Sequence, residues 1–67
     1  MALNLITTFF SADFTLKAEV YRDKKIGRVL VKCMEEVGDS WNLVTEMGAS
    51  TLDEGQDKAE DFVEKWR

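Results

Sequence analysis

The side chains able to do chemistry in this sequence are few, and their types restrict it more than their spacing does. No histidine occurs among the 67 residues, so the familiar nucleophilic arrangements, in which a Ser, Cys or Thr sits beside an imidazole, have no base to use. The single Cys33 has no second thiol for an internal disulfide, and without histidine the usual ligand set for zinc or copper is missing. Because Cys33 falls inside an apolar run, it is expected to act as a small buried hydrophobe and not as a reactive group. Two carboxylate pairs, Glu35 with Glu36 and Asp57 with Asp61, could share a proton or hold a hard cation. Both sit where solvated turn or helix-surface charges are expected, and no Asp-rich loop follows a calcium-binding pattern. The glycines Gly27, Gly38, Gly48 and Gly55 are scattered singly, unlike the grouped glycines of a phosphate-cradling loop. The expectation is a chain with no catalytic residues, metal or cofactor.

Binding is the chemistry that remains, and the charges are arranged for it. Lys17, Arg22, Lys24, Lys25, Arg28 and Lys32 crowd into residues 17–32 against only Glu19 and Asp23, a local charge of +4 within a chain of net charge −4. From Cys33 onward ten acidic residues face three basic ones, a charge of −7, and Asp13 supplies the remaining −1. Tyr21 stands among the cations, a combination that could stack on a nucleobase while its neighbours meet phosphates. The plainer account of the same residues is a solvated hairpin whose lysines discourage edge-to-edge aggregation. The acidic half suits docking on a basic protein. As a DNA-mimicking inhibitor it would need dense carboxylates over a larger area than half of so small a domain supplies.

These residues must be positioned by elements that the hydrophobic pattern outlines. From Phe14 to Tyr21 the chain alternates, with Phe14, Leu16, Ala18 and Val20 on one side and Thr15, Lys17, Glu19 and Tyr21 on the other, as in a half-buried strand. Asp23-Lys24-Lys25 and Gly27 turn the chain into a second β-rich run from Arg28 to Met34. A turn centred on Lys24 and Lys25 sets Val20 opposite Val29, Ala18 opposite Val31 and Leu16 opposite Cys33. That pairing sends Lys17, Tyr21, Arg28 and Lys32 outward, together with Leu30 and Met34. After Val37-Gly38-Asp39-Ser40, the run Trp41 to Met47 reads as a third strand. An odd-numbered loop would place Trp41, Leu43 and Met47 on the side of Val29, Val31 and Cys33, whereas a two-residue Gly-Asp turn would place Val44 and Glu46 there. The larger apolar area favours the odd loop.

Thr51 and Glu54 have the spacing of a capping box, and Leu52, Ala59, Phe62, Val63 and Trp66 fall on one helical stripe behind it. Gly55 lies on that stripe, where a missing side chain could let the first turn approach the sheet at a cost of about 1 kcal/mol relative to Ala. Asp53, Glu54 and Asp57 suit the helix start, and Lys65 and Arg67 its end. Residues 1–10 admit two patterns: Leu3, Leu5, Thr7 and Phe9 alternate as a strand, while Leu3, Ile6 and Phe10 fit a helix. The Thr-Thr-Phe-Phe stretch favours the strand.

The sequence therefore predicts a single small α+β domain over residues 1–67: an antiparallel meander of three or four strands with one C-terminal amphipathic helix on one face. A three-stranded sheet followed by a helix resembles, in architecture alone, the sheet-reading DNA-binding domains of the integrase-arm type. The ending Ala59 to Trp66 resembles the helices that close small phage-encoded or prokaryotic accessory proteins, which implies an accessory or regulatory role. One helix covers one sheet face, and apolar residues on both faces call for a partner. The leading expectation is a non-catalytic protein-interaction module, a homodimer or a hetero-complex, using Tyr21, Leu30 and Met34 with Arg28 and Lys32 at the rim. The alternative is nucleic-acid binding through Lys17, Tyr21, Arg22, Lys24, Lys25, Arg28 and Lys32. With no basic residue before Lys17, no apolar run of membrane length and a lone thiol, a cytoplasmic protein without membrane contact is expected.

Overall fold

The computed structural model describes residues 3–66. Four strands, β1 (Leu3–Phe10), β2 (Leu16–Asp23), β3 (Val29–Val37) and β4 (Ser40–Ala49), form one antiparallel sheet in sequential order, and a helix, α1 (Leu52–Lys65), lies across it. This is the α+β meander expected from the hydrophobic pattern, in its four-stranded form. The helix packs chiefly on the two central strands, β2 and β3. Their alternation supplies the floor of the core: Leu16, Ala18 and Val20 from β2 and Val29, Val31 and Cys33 from β3 are buried beneath Ala59, Phe62 and Val63 of the helix.

The helix begins as its sequence dictates. Thr51 caps it by accepting a hydrogen bond from the Glu54 amide at 3.1 Å. The Glu54 carboxylate reaches back to the Ser50 amide, one residue earlier than in the standard capping box, so the two side chains still satisfy two backbone donors. Gly55 is buried against the sheet; a Cβ there would stand 2.5 Å from Val29 Cγ1, and this is what lets the first turn lie so close. Trp66 departs from the predicted stripe. It forms the C-cap in extended backbone and leaves 40% of its surface exposed beside the Phe62 ring.

Four strand assignments differ from the sequence pattern, each because a turn or bulge changes the residue count. The β2–β3 loop spans four residues, Lys24 to Gly27, closed by the Asp23 amide donating to the Arg28 carbonyl, with Gly27 at φ +71°. Val20 therefore faces Val31 and Ala18 faces Cys33, two residues away from the predicted register. A slip of two preserves the side on which every residue lies, so the predicted outward set survives. Phe14 is not part of β2. It sits in the β1–β2 turn at φ +60° and is 64% exposed, because the Asp13 carboxylate gathers the Ser11 hydroxyl and both the amide and hydroxyl of Thr15.

The third correction concerns β4. The Val37–Ser40 connection is the two-residue Gly38-Asp39 turn, and Trp41 and Leu43 consequently lie on the side away from the helix, opposite Glu36 and Met34. Val44 is then an extra residue that bulges out of register, after which Thr45 faces Cys33 and Met47 faces Val31 on the helix side. The turn is even and the bulge supplies the odd residue. β1 does the same: Ile6 bulges, so that Leu3 and Leu5 share the open side with Tyr21, while Thr7 and Phe9 cross to the helix side opposite Val20 and Ala18.

Candidate interaction face

The sheet face without the helix is ordered in rows that run across all four strands. One row holds Phe10, Lys17, Met34 and Leu43, each directly opposite the next. The next holds Thr8, Glu19, Lys32 and Glu46. A third holds Leu5, Tyr21, Leu30 and Gly48. Two largely apolar rows thus flank one charged row of alternating sign. Leu5, Phe10 and Leu43 are the most open of the apolar residues in these rows, at 53%, 47% and 56% exposure, and Trp41 continues the apolar surface beyond Leu43.

The charges in this face are tied to its rings. The Lys17 ammonium lies 4.6 Å from the Trp41 ring centre and 3.4 Å from the Glu19 carboxylate. The other oxygen of Glu19 accepts the Tyr21 hydroxyl at 2.8 Å, and Lys32 stands 5.1 Å over the Tyr21 ring. That hydrogen bond to a carboxylate, with partial burial and the negative charge of Glu19, raises the Tyr21 phenol above its usual pKa. Cation–ring contacts of this kind are worth about 0.5–1 kcal/mol each when exposed, and together they hold Lys17, Lys32, Tyr21 and Trp41 against the sheet. Phe10 links the Trp41 ring to that of Phe14, with ring centres 6.4 Å and 5.6 Å apart.

Of the residues expected to contact a protein, Tyr21, Leu30, Lys32 and Met34 share this face, half-buried, and exposed Arg28 lies at its rim beside Gly48. The six cations expected to meet nucleic acid divide into two groups. Lys17 and Lys32 belong to the ring-bound array, while Lys24, Lys25 and Arg28 are exposed at the hairpin tip with Arg22, which shares the helix side of the sheet. Lys17 and Lys24 are separated by roughly 23 Å of extended strand. Glu35 and Glu36 point to opposite sides of the sheet. Asp57 and Asp61 are solvated helix charges, Asp61 paired with Lys65 at 3.2 Å. Among the described residues no group of three or more His, Cys, Asp or Glu side chains is placed to hold a metal ion. Among them, too, no helix is long and apolar enough to cross a membrane.

Leu5, Phe10, Trp41, Leu43 and Glu19 belong to the face without being singled out by the sequence pattern. Burying the larger apolar area would place Trp41 and Leu43 in the core; the even Gly38-Asp39 turn puts them outside, and the bulge at Val44 returns only Thr45 and Met47 to the helix side. The signal for Glu19 lies in the β2 alternation, which sets it beside Lys17 and Tyr21. Compared with known proteins, the chain matches no family model, no curated protein and no solved structure.

Proposed function

We propose that this protein is a small non-catalytic interaction module that self-associates through the sheet face left open by its helix. The observation that carries this is the pair of largely apolar rows on the open face: Phe10, Met34 and Leu43, with Lys17 between Phe10 and Met34, and Leu5, Tyr21 and Leu30, ending at Gly48. Scattered exposed hydrophobes are ordinary, whereas apolar side chains grouped on one sheet face, rimmed and crossed by charges, mark a contact surface.

A face is better supported than an edge as the contact. Both outer strands carry a bulge, at Ile6 in β1 and at Val44 in β4, and a bulge twists an edge away from the flat geometry that strand addition requires. A second copy is the occupant that the charges favour. The helix side presents Asp53, Glu54, Asp57, Glu60, Asp61 and Glu64 against Lys58 and Lys65, so it repels its own image. The open face is close to balanced, with Lys17, Arg28 and Lys32 among Glu19, Asp23, Glu36 and Glu46.

Light scattering behind a sizing column, at low and high salt and over micromolar to millimolar protein, tests the proposal. The expected result is a dimer at both salts and a monomer for Leu43→Asp, with the helix signal of circular dichroism retained. Wild-type protein that stays monomeric throughout the range would end it. The exposed cations at the hairpin tip support nucleic-acid binding as a second function. Its signature is movement of the Arg22, Lys24, Lys25 and Arg28 resonances on adding DNA or RNA at low salt, reversed as salt rises. Unmoved resonances would dismiss it.

A further inference from the structure

The alternating charges of the central row, together with the size of the face, restrict how two copies can meet. Strand spacing of about 4.8 Å and a rise of about 3.3 Å per residue make the face about 19 Å wide and 30 Å long, on the order of 550 Å² in projection. That fits within the molecule's 35 × 22 × 16 Å extents. Two such faces pressed fully together remove on the order of 1,100 Å², just above the roughly 1,000 Å² that a specific interface needs. Only arrangements that cover all four strands of both copies reach it.

A two-fold axis for face-to-face packing lies in the plane of the interface. An axis between β3 and β4 covers only two strands of each copy, and an orthogonal crossing covers only a square about 19 Å on a side, so both fall short on area. An axis running across the strands through the central row covers everything, but it sets Glu19 on Glu19, Lys32 on Lys32 and Glu46 on Glu46. Like charges directly apposed inside an interface strongly disfavour association. One arrangement satisfies both conditions.

We infer that the dimer axis runs parallel to the strands between β2 and β3, so that Glu19 of each copy meets Lys32 of the other. This rests on the self-association proposed above and specifies its geometry. β1 then overlies β4 of the other copy and β2 overlies β3, row upon row. Phe10 packs on Leu43, Tyr21 on Leu30 and Leu5 over Gly48, whose missing side chain leaves a depression bordered by the Arg28 guanidinium. Glu19 retains acceptor capacity for the incoming ammonium after binding Lys17 and the Tyr21 hydroxyl. The same axis brings the two hairpin tips, with Arg22, Lys24, Lys25 and Arg28, side by side. Those charges are exposed and screened over a Debye length of about 8 Å at physiological salt, so their repulsion is weaker than a buried like-charge row and fades with salt.

Charge reversal with mixing tests the axis. In Glu19→Lys the introduced ammonium opposes Lys32 of the other copy twice per dimer, and in Lys32→Glu the introduced carboxylate opposes Glu19 twice. Each variant alone is expected to dimerise at least 100-fold more weakly than wild type, because both contacts become like-charged. An equimolar mixture restores two attractive pairs and should form a heterodimer, read by light scattering and by native mass spectrometry with one variant isotope-labelled. Wild-type dimerisation should tighten as salt is raised. Circular dichroism establishes that each variant is folded. Should either fail to fold, Glu19→Gln and Lys32→Gln replace them, each expected to weaken the dimer. A wild-type monomer overturns both the function and the axis. A wild-type dimer whose charge variants dimerise as well as it does, or whose reversed variants are monomeric and do not recover on mixing, overturns the axis alone.

Discussion

Replacing Gly55 by alanine opposes two effects that are usually studied apart. In an exposed helix the change should stabilise by about 1 kcal/mol, because alanine is the better helix former. Here the added methyl would lie 2.5 Å from Val29 Cγ1 and 3.6 Å from both Val20 Cγ1 and Val31 Cγ2. No carbon pair tolerates the first distance, and Val29 cannot yield easily: it is β-branched, 2% exposed and enclosed by the core. Overpacking of this kind costs about 1–3 kcal/mol. The clash should win, leaving Gly55→Ala less stable than wild type by up to about 2 kcal/mol in urea or thermal unfolding followed by circular dichroism. The control is Val29→Ala, which opens room for the new methyl. Gly55→Ala should cost nothing or stabilise in that background, giving a coupling of about 1–3 kcal/mol in the double-mutant cycle. If Gly55→Ala stabilises the otherwise wild-type protein by the full propensity gain, the first turn of α1 is not pressed on β3 and the close approach is refuted.

Two further outcomes follow from residues that the fold holds under constraint. Phe14 adopts φ +60° with an exposed ring, a conformation that costs a bulky residue about 1–2 kcal/mol, so Phe14→Gly should raise stability by about 1 kcal/mol in chemical denaturation; a loss of stability would mean that the Phe10–Phe14 ring contact outweighs the strain. Burial raises the Cys33 thiol from its ordinary 9.0 to about 11, so ionisation favours the unfolded chain: its contribution is full below pH 9.0 and is lost as pH rises towards about 11, by about 1.4 kcal/mol per unit. The stability difference between wild type and Cys33→Val should therefore shift in that window, measured by denaturation from pH 7 to pH 11. An unchanged difference would place the thiol in contact with water.

The elements and the composition of the core are written locally in the chain. Alternation from Leu16 to Val20 and from Val29 to Cys33, the Thr51–Glu54 cap and the stripe through Gly55, Ala59, Phe62 and Val63 are each legible within a turn or two of sequence. They determine the open side of the two central strands as well, since the two-residue error in their register leaves every side chain on its own face. The outer strands depend on packing that no local pattern contains. A bulge is a single extra residue whose cost is offset by contacts at a distance, and nothing in the type of Ile6 or Val44 announces it. At Val44 the pattern misleads, because an unbroken alternation would bury Trp41 and Leu43 together with Met47. In the folded chain the even Gly38-Asp39 turn sends those two side chains to the open side, and Val44 and Met47 are the β4 residues that pack, partly buried, against the core. They lie instead beside Phe10, Lys17 and Met34 on the open face, and the surface proposed for self-association exists because pairing across four strands brought its rows into line.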